Sequence, residues 1–228
     1  MEGRRGVCPD CPAKRAGVLG TLVDAKNGRC ALRCVFVPAR HPLPPRWFGT
    51  YGLALVRRGV VVRQRVDVSG TATAIDALGP GGATPLSEAS EGSSGGYAAD
   101  EALVCLVPRP ALRQVVDAGA PTAGQVISLH LSALERVERI AEARARPTAA
   151  ARVAALMCAL ADHLAPPRRL DLIPSSLQQR DLAALLAMRH ESVCRALSVF
   201  ERKRWLSRGA EGIRLLDRAQ LDAAARPS

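Results

Sequence analysis

Five of the seven cysteines stand where sulfur could do chemistry. Cys8-Pro9-Asp10-Cys11 is a C-x2-C pair, and Cys30 and Cys34 follow as a C-x3-C pair. Two such pairs suit a structural zinc ion, which takes four thiolates in a tetrahedron. Cys105, in the run Leu103-Val104-Cys105-Leu106-Val107, would then be an ordinary buried thiol. Without a metal, the same cysteines suit a redox switch, because thiolates oxidise reversibly. Cys158 lies beside Leu156 and Leu160 on an apolar helix face and belongs to a core.

A second set lies in residues 175–206, SSLQQRDLAALLAMRHESVCRALSVFERKRWL. Leu182, Leu185 and Leu186, then Val193, Leu197 and Phe200, recur at helical spacing, which predicts two short helices across a tight turn. Asp181 falls in the opening turn of the first, where a carboxylate suits the helix dipole. The free edge of the second carries Glu191, Ser192 and Arg195, with His190 at its start and Cys194 between them. Such an edge can enter a major groove. Arg195 suits guanine or a phosphate, and Glu191 a cytosine amine. Gln178, Gln179, Arg180 and Arg208 suit phosphates. Oxidation of Cys194 would disturb such a surface. Trp205 and Leu206 are expected to end the helix, residues 208–212 to turn, and Ile213, Leu215 and Leu216 to form a wing strand.

Three elements must position these residues. Cys34 to Val37, Leu53 to Val56, Val60 to Val68 and Ala102 to Val107 read as short strands. Pro-, Gly- and Ser-rich clusters separate them, Gly92-Ser93-Ser94-Gly95-Gly96 among them, and the pattern predicts a barrel or sandwich. A long helix follows from about Thr122 to Arg144. Its stripe Val126, Leu129, Ala133, Val137 and Ile140, widened by Ile127, Leu131 and Leu134, suits either a two-stranded coiled coil or packing onto the chain's own barrel. Pro147 breaks it, and Thr148 is expected to cap a helix from Ala149 to about Leu164.

Composition points the same way. The 228 residues carry a net charge of +11 and a pI near 10.2, which favour a polyanionic partner. From Arg146 onward fourteen basic side chains face eight acidic ones. No apolar run is long enough to span a bilayer, and the start MEGRRGVCPDCP is not a signal peptide, so a cytoplasmic protein is expected. There, seven cysteines point to metal or redox chemistry rather than structural disulfides. His41, His130, His163 and His190 form no constellation, and no nucleophile–base pair or phosphate loop is evident, so no enzyme activity is expected.

Residues Ala151 to Leu221 resemble the DNA-binding domain of Crp/Fnr-type bacterial transcription regulators. Asp181-Leu182-Ala183, Leu186-Ala187 and Glu191-Ser192-Val193-Cys194-Arg195-Ala196-Leu197 carry the likeness. The chain departs from that pattern at Ala187, where the turn usually has Gly, at Arg189, where Ser or Thr usually caps the helix, and at Cys194. Val56-Arg57-Arg58-Gly59-Val60 and Leu78-Gly79-Pro80-Gly81 resemble turns of the family's sensor domain. The resemblance implies an α+β fold in four parts. These are a cysteine-bearing arm over 1–33, a jelly-roll (cyclic-nucleotide-binding-like) β-barrel over 34–120, a dimerisation helix over 121–146, and a winged helix-turn-helix over 147–228. It also implies a homodimer on a palindromic operator in double-stranded DNA, with RNA polymerase as a partner.

The resemblance bears on the signal as well. Cyclic-nucleotide members hold the phosphate with an Arg. Here the stretch from Leu86 through Glu88 to Ala99 offers a carboxylate but no such cation, so cyclic AMP is not expected. The oxygen-sensing fumarate–nitrate reductase branch holds a [4Fe–4S] cluster with three N-terminal cysteines and one barrel cysteine. Cys8 and Cys11 match its opening and Cys105 its barrel position. Gly17 and Val18 stand where the third ligand is usual, so Cys30 or Cys34 would have to serve. Zinc, a thiol switch or no metal remain as alternatives. So does a metal-binding protein-interaction module without specific DNA recognition.

Overall fold

The computed structural model describes residues 23–24, 29–30, 32–86, 93–117, 119–164 and 171–226. A short hairpin, β1 (Val23–Asp24) with β2 (Arg29–Cys30), leads into two facing sheets. In chain order come β3 (Arg33–Val37), α1 (Arg46–Thr50), β4 (Tyr51–Arg58), β5 (Val61–Val66), β6 (Ala72–Leu78), β7 (Ala83–Pro85), β8 (Ser93–Ala98) and β9 (Ala102–Pro108). The sheet orders are β3-β9-β4-β7 and β6-β5-β8, with every pair antiparallel.

Strand alternation explains the layers. On β4, Ala54 and Val56 point between the sheets, where they meet Trp47, Phe48, Val61 and Leu106. Leu53 and Leu55 point the other way and join Cys105, Val107, Val115 and Val126 beneath helices. Each fully buried Leu or Val contributes roughly 1.5–3 kcal/mol, so a sheet buried on both faces is strongly held. β8 was not legible as a strand: its Gly-Ser-rich run reads as a separator. Pairing with β5 overrides propensity there, and Gly96 permits it, since a Cβ at that position would press on the carbonyl of Val62.

Helix α2 (Arg109–Asp117) leaves β9 and is followed by α3 (Ala120–Ala145) and α4 (Ala149–Leu164). Thr148 Oγ1 accepts from the Ala151 N–H at 3.1 Å and caps α4 as the sequence suggests. The stripe expected to pair two subunits behaves differently. Val126, Ala133 and Ile140 are buried against the chain's own fold, and Leu129 and Val137 are half-buried. The face of α3 left open carries Ile127, Leu131 and Leu134, each more than half exposed. Arg136 fixes this orientation: it holds the buried Asp76 of β6 at 3.2–3.3 Å and donates to the Ala83 carbonyl at 2.6 Å. Burial raises the Asp76 carboxyl above its usual range, and the Arg136 charge opposes that shift.

The C-terminal part comprises β10 (Leu172–Pro174), α5 (Gln179–Leu186), α6 (His190–Arg202), β11 (Leu206–Gly209), β12 (Gly212–Leu215) and α7 (Arg218–Ala225). Its wing has three strands in the order β10-β12-β11, and β10 was not anticipated from sequence. The wing turn is shorter than expected, because Arg208, Gly209 and Gly212 are in strands, and Leu216 lies beyond the wing strand and is exposed. The helix ends at Arg202, not at Trp205–Leu206: Trp205 folds back to stack on Phe200 with ring centroids 5.5 Å apart, under Lys203 Nζ. Val60, Val62, Ala74 and Ala77 of the barrel share one core with Leu182, Leu185, Val193 and Leu197 of this part. The helix-turn-helix is therefore docked on the β5–β6 face.

Candidate nucleic-acid interface and cysteine pair

Helices α5 and α6 are held by the six apolar residues read from the sequence, all at most 2% exposed. Between them Ala187 takes the left-handed conformation at φ +50°, a position that glycine would fill without steric cost. Its N–H and that of Met188 close the end of α5 on the carbonyls of Ala184 and Ala183. Arg189 is the N-cap of α6 and makes no side-chain cap bond.

Burying Val193, Leu197 and Phe200 turns the opposite edge of α6 outward. His190, Glu191 and Arg195 are exposed there, and Ser192 and Cys194 are half-buried. Cys194 Sγ donates to Gln179 Oε1 at 2.7 Å and stands 3.5 Å from His190 Nε2. Gln178, Gln179, Arg180, His190 and Arg208 line one open groove of about 400 Å³ beside the wing. Arg208 donates to Glu201 at 2.5–2.9 Å, so its charge is shared with a carboxylate. The sequence thus places its polar set together on one surface, with Arg208 the member least open to a phosphate.

One cluster was missed. Asp181, only 2% exposed, accepts from Arg40 Nη1 through both oxygens at 2.8 and 2.9 Å, from Tyr97 Oη at 2.7 Å and from its own helix's Gln178 N–H at 2.7 Å. Arg40 Nη2 also donates to the Ser176 carbonyl at 2.9 Å. Arg40 sits at φ +63°, a strained backbone that persists where surrounding contacts over-determine it. Burial and Asp181 together raise the Tyr97 hydroxyl well above its usual range. Arg144, at the end of α3, adds a second bridge by donating to the Leu185 carbonyl at 2.6 Å and to Ala74 of β6. Asp181 in the first turn of α5 was the visible signal, but its partners lie 141 and 84 residues away.

The cysteine reading divides. Cys8, Cys11 and Glu88 lie outside the described residues, and Cys30 is described only in its backbone. Cys34 and Cys105 are directly paired across β3 and β9, with Sγ atoms 2.7 Å apart. Among the described residues no group of three or more His, Cys, Asp or Glu side chains could hold a metal ion. Cys158 is buried as expected, and burial pushes its thiol up to about 12. His163 is pushed down to about 4, chiefly by burial, and is therefore a neutral donor to the Ala77 carbonyl at 3.1 Å. His41 is exposed in its turn, and His130 bonds within α3 to the Val126 carbonyl.

Two facing sheets, a long helix and a docked winged helix-turn-helix make up the architecture. Residues 151–224 match the Crp-like helix-turn-helix domain, so the chain carries that domain on that fold. Among solved structures it is similar to FixK2 from Bradyrhizobium japonicum, at 20% identity and a TM-score of 0.72, covering 86% of this chain and 98% of that one. A CooA variant from Carboxydothermus hydrogenoformans gives 16% identity and a TM-score of 0.64, covering 86% and 88%. A CRP-family transcriptional regulator from Thermus thermophilus gives 19% and 0.60, covering 84% and 96%. At these identities the likeness establishes the fold. No curated protein matches this sequence. No helix among the described residues is long and apolar enough to cross a membrane.

Proposed function

We propose that this protein is a sequence-specific, DNA-binding transcription regulator that acts as a homodimer on a palindromic operator. The observation that carries the reading is the outward edge of α6, where His190, Glu191 and Arg195 stand exposed beside a wing while the opposite edge is buried. Glu191, Ser192 and Arg195 read bases, with His190 and Cys194 beside them. Gln178, Gln179 and Arg180 contact phosphates, with Arg208 a weaker contributor. The exposed Ile127, Leu131 and Leu134 repeat at four- and three-residue steps on α3 and form the seam with a second copy. RNA polymerase is the further partner such a regulator engages.

For the signal, we infer control through cysteines, as in the cysteine-bearing branch the sequence resembles, and not through cyclic AMP. In this structure the Cys34 and Cys105 sulfurs stand 2.7 Å apart, closer than two thiolates on one zinc ion. The candidate ligands for a [4Fe–4S] cluster are Cys8, Cys11 and Cys105 with Cys30 or Cys34 as the fourth, and a zinc ion would instead take Cys8, Cys11, Cys30 and Cys34. A bound cluster would supply a group that is sensitive to oxygen and redox state.

A salt titration with operator DNA tests the first reading. Affinity falls by about a thousandfold or more between 50 and 200 mM salt if some six phosphates are contacted. A flat salt response would instead indicate a protein-interaction module. Iron, sulfide and zinc analysis of anaerobically purified protein tests the second. Stoichiometric iron and sulfide support the cluster, and their absence removes it.

A further inference from the structure

We propose that Cys34 and Cys105 form a reversible disulfide that clamps β3 to β9, with a hydroperoxide as oxidant. The inference deepens the cysteine-control reading, but it rests on that reading only for its effect on DNA affinity. The bond itself follows from geometry.

Register is the first support. Cys34 and Cys105 are Cα partners in the antiparallel β3–β9 ladder. Directly opposed residues in such a ladder have Cα atoms about 4.5 or 5.5 Å apart. Both spacings fall inside the roughly 4.4–6.8 Å range that a disulfide requires. Side chains of opposed residues also leave the same face of the sheet, so the two sulfurs project together. Their 2.7 Å separation is the second support. Two thiolates on one zinc ion, each about 2.3 Å from the metal, stand about 3.8 Å apart. The pair is thus closer than a shared ion allows and suited to a direct S–S bond.

Exposure assigns the roles. Cys34 is partly accessible on β3, which ends its sheet, whereas Cys105 is 1% exposed. Cys34 sulfur attacks one peroxide oxygen, the O–O bond breaks, and the departing oxygen takes the thiol proton. The products are an alcohol, or water from hydrogen peroxide, and a sulfenic acid on Cys34. Cys105 sulfur then attacks the Cys34 sulfur, the S–O bond breaks, and hydroxide leaves with the Cys105 proton as water. Two thiols are oxidised to one disulfide and one peroxide is reduced. A small thiol reverses the reaction by exchange.

The location gives the bond a consequence. Cys105 packs with Val115 of α2 and Val126 of α3, and Cys34 lies against the same cluster. Val126 is adjacent to Ile127, which opens the exposed stripe of α3. Drawing the sulfurs together changes the packing beneath the helix that carries the dimer seam. Cys105 cannot serve a metal and the disulfide at once, so the two states exclude each other.

The test uses full-length, metal-free protein treated with hydrogen peroxide, then alkylated, digested and mapped by mass spectrometry. The expected result is a peptide pair joining Cys34 to Cys105 that disappears on reduction, with a several-fold loss of alkylation at both residues. Cys34→Ser and Cys105→Ser should each abolish the cross-link, but the wild-type map alone decides the matter if a variant fails to fold. Continued alkylation of both residues, or Cys34 joined to another cysteine, overturns the proposal. Operator affinity is measured on the same reduced and oxidised samples, and a several-fold change is expected. Cross-linked protein with unchanged affinity would retain the bond and reject its regulatory effect. Iron analysis of untreated protein reports on the cluster separately.

Discussion

Replacing Arg40 by Ala should loosen the winged helix from the barrel at a measurable cost. The Asp181 carboxylate is 2% exposed and accepts from three sources: Arg40, Tyr97 and the Gln178 N–H. Removing one partner of a buried ion pair typically costs about 3–5 kcal/mol, because an uncompensated charge is left behind. Here two donors remain, and the Arg40 side chain is 26% exposed, so water can reach part of the site. These facts discount the cost to about 2–3 kcal/mol. Tyr97→Phe, which deletes one hydrogen bond to a charged acceptor, should cost about 1.5 kcal/mol. Both changes act on one carboxylate, so the double variant should depart from additivity by at least 0.5 kcal/mol or so. Guanidinium unfolding with a constant m-value reads all three. A loss below about 0.5 kcal/mol for Arg40→Ala, as for an ordinary surface change, would refute the claim that this contact joins the two parts.

Arg195→Ala should weaken operator binding by roughly 1–3 kcal/mol and relax preference at one base pair, as measured by competition with variant operators; unaltered affinity would remove Arg195 from the interface. Leu131→Asp should dissociate the proposed dimer in sedimentation without altering the circular dichroism of the monomer, since it places a charge in the proposed seam. His163 has its folded-state value lowered to about 4 from an ordinary 6.5, so the unfolded chain binds the proton more readily. The stability it permits is fully present above pH 6.5 and is lost as pH falls through 4, by about 3 kcal/mol at most. His163→Gln should flatten that part of the stability–pH curve. Ala187→Gly should stabilise the turn by about 0.5–1 kcal/mol in thermal unfolding, because the left-handed strain at φ +50° exceeds the entropy that glycine adds to the unfolded chain.

The helix-turn-helix was legible because its evidence is local. Leu182, Leu185 and Leu186 repeat at helical spacing within one turn-bounded segment, and burial follows from that spacing. The four strands with β-branched or alternating runs were legible for the same reason. β8 was not, since Gly95 and Gly96 carry no pattern and the strand exists through its pairing with β5. The α3 stripe showed the opposite failure. Apolar residues recur on two adjoining faces, and sequence alone does not say which face the barrel takes. Arg136 and the buried Asp76 decide it, at a separation of 60 residues. The Arg40–Tyr97–Asp181 cluster was out of reach for the same reason, because its members meet only after the barrel and the winged helix have folded together. The Cys34–Cys105 contact depends on strand register, which the cysteine spacing does not encode.

The central claim is tested most directly by selecting duplexes from a random DNA pool with the full-length protein and determining the common sequence. The account predicts a two-fold symmetric site with half-sites about one helical turn apart, as two copies of α6 require. It also predicts that Arg195→Ala fails to recover that site. A pool that stays unenriched, or yields sites without symmetry, would contradict it.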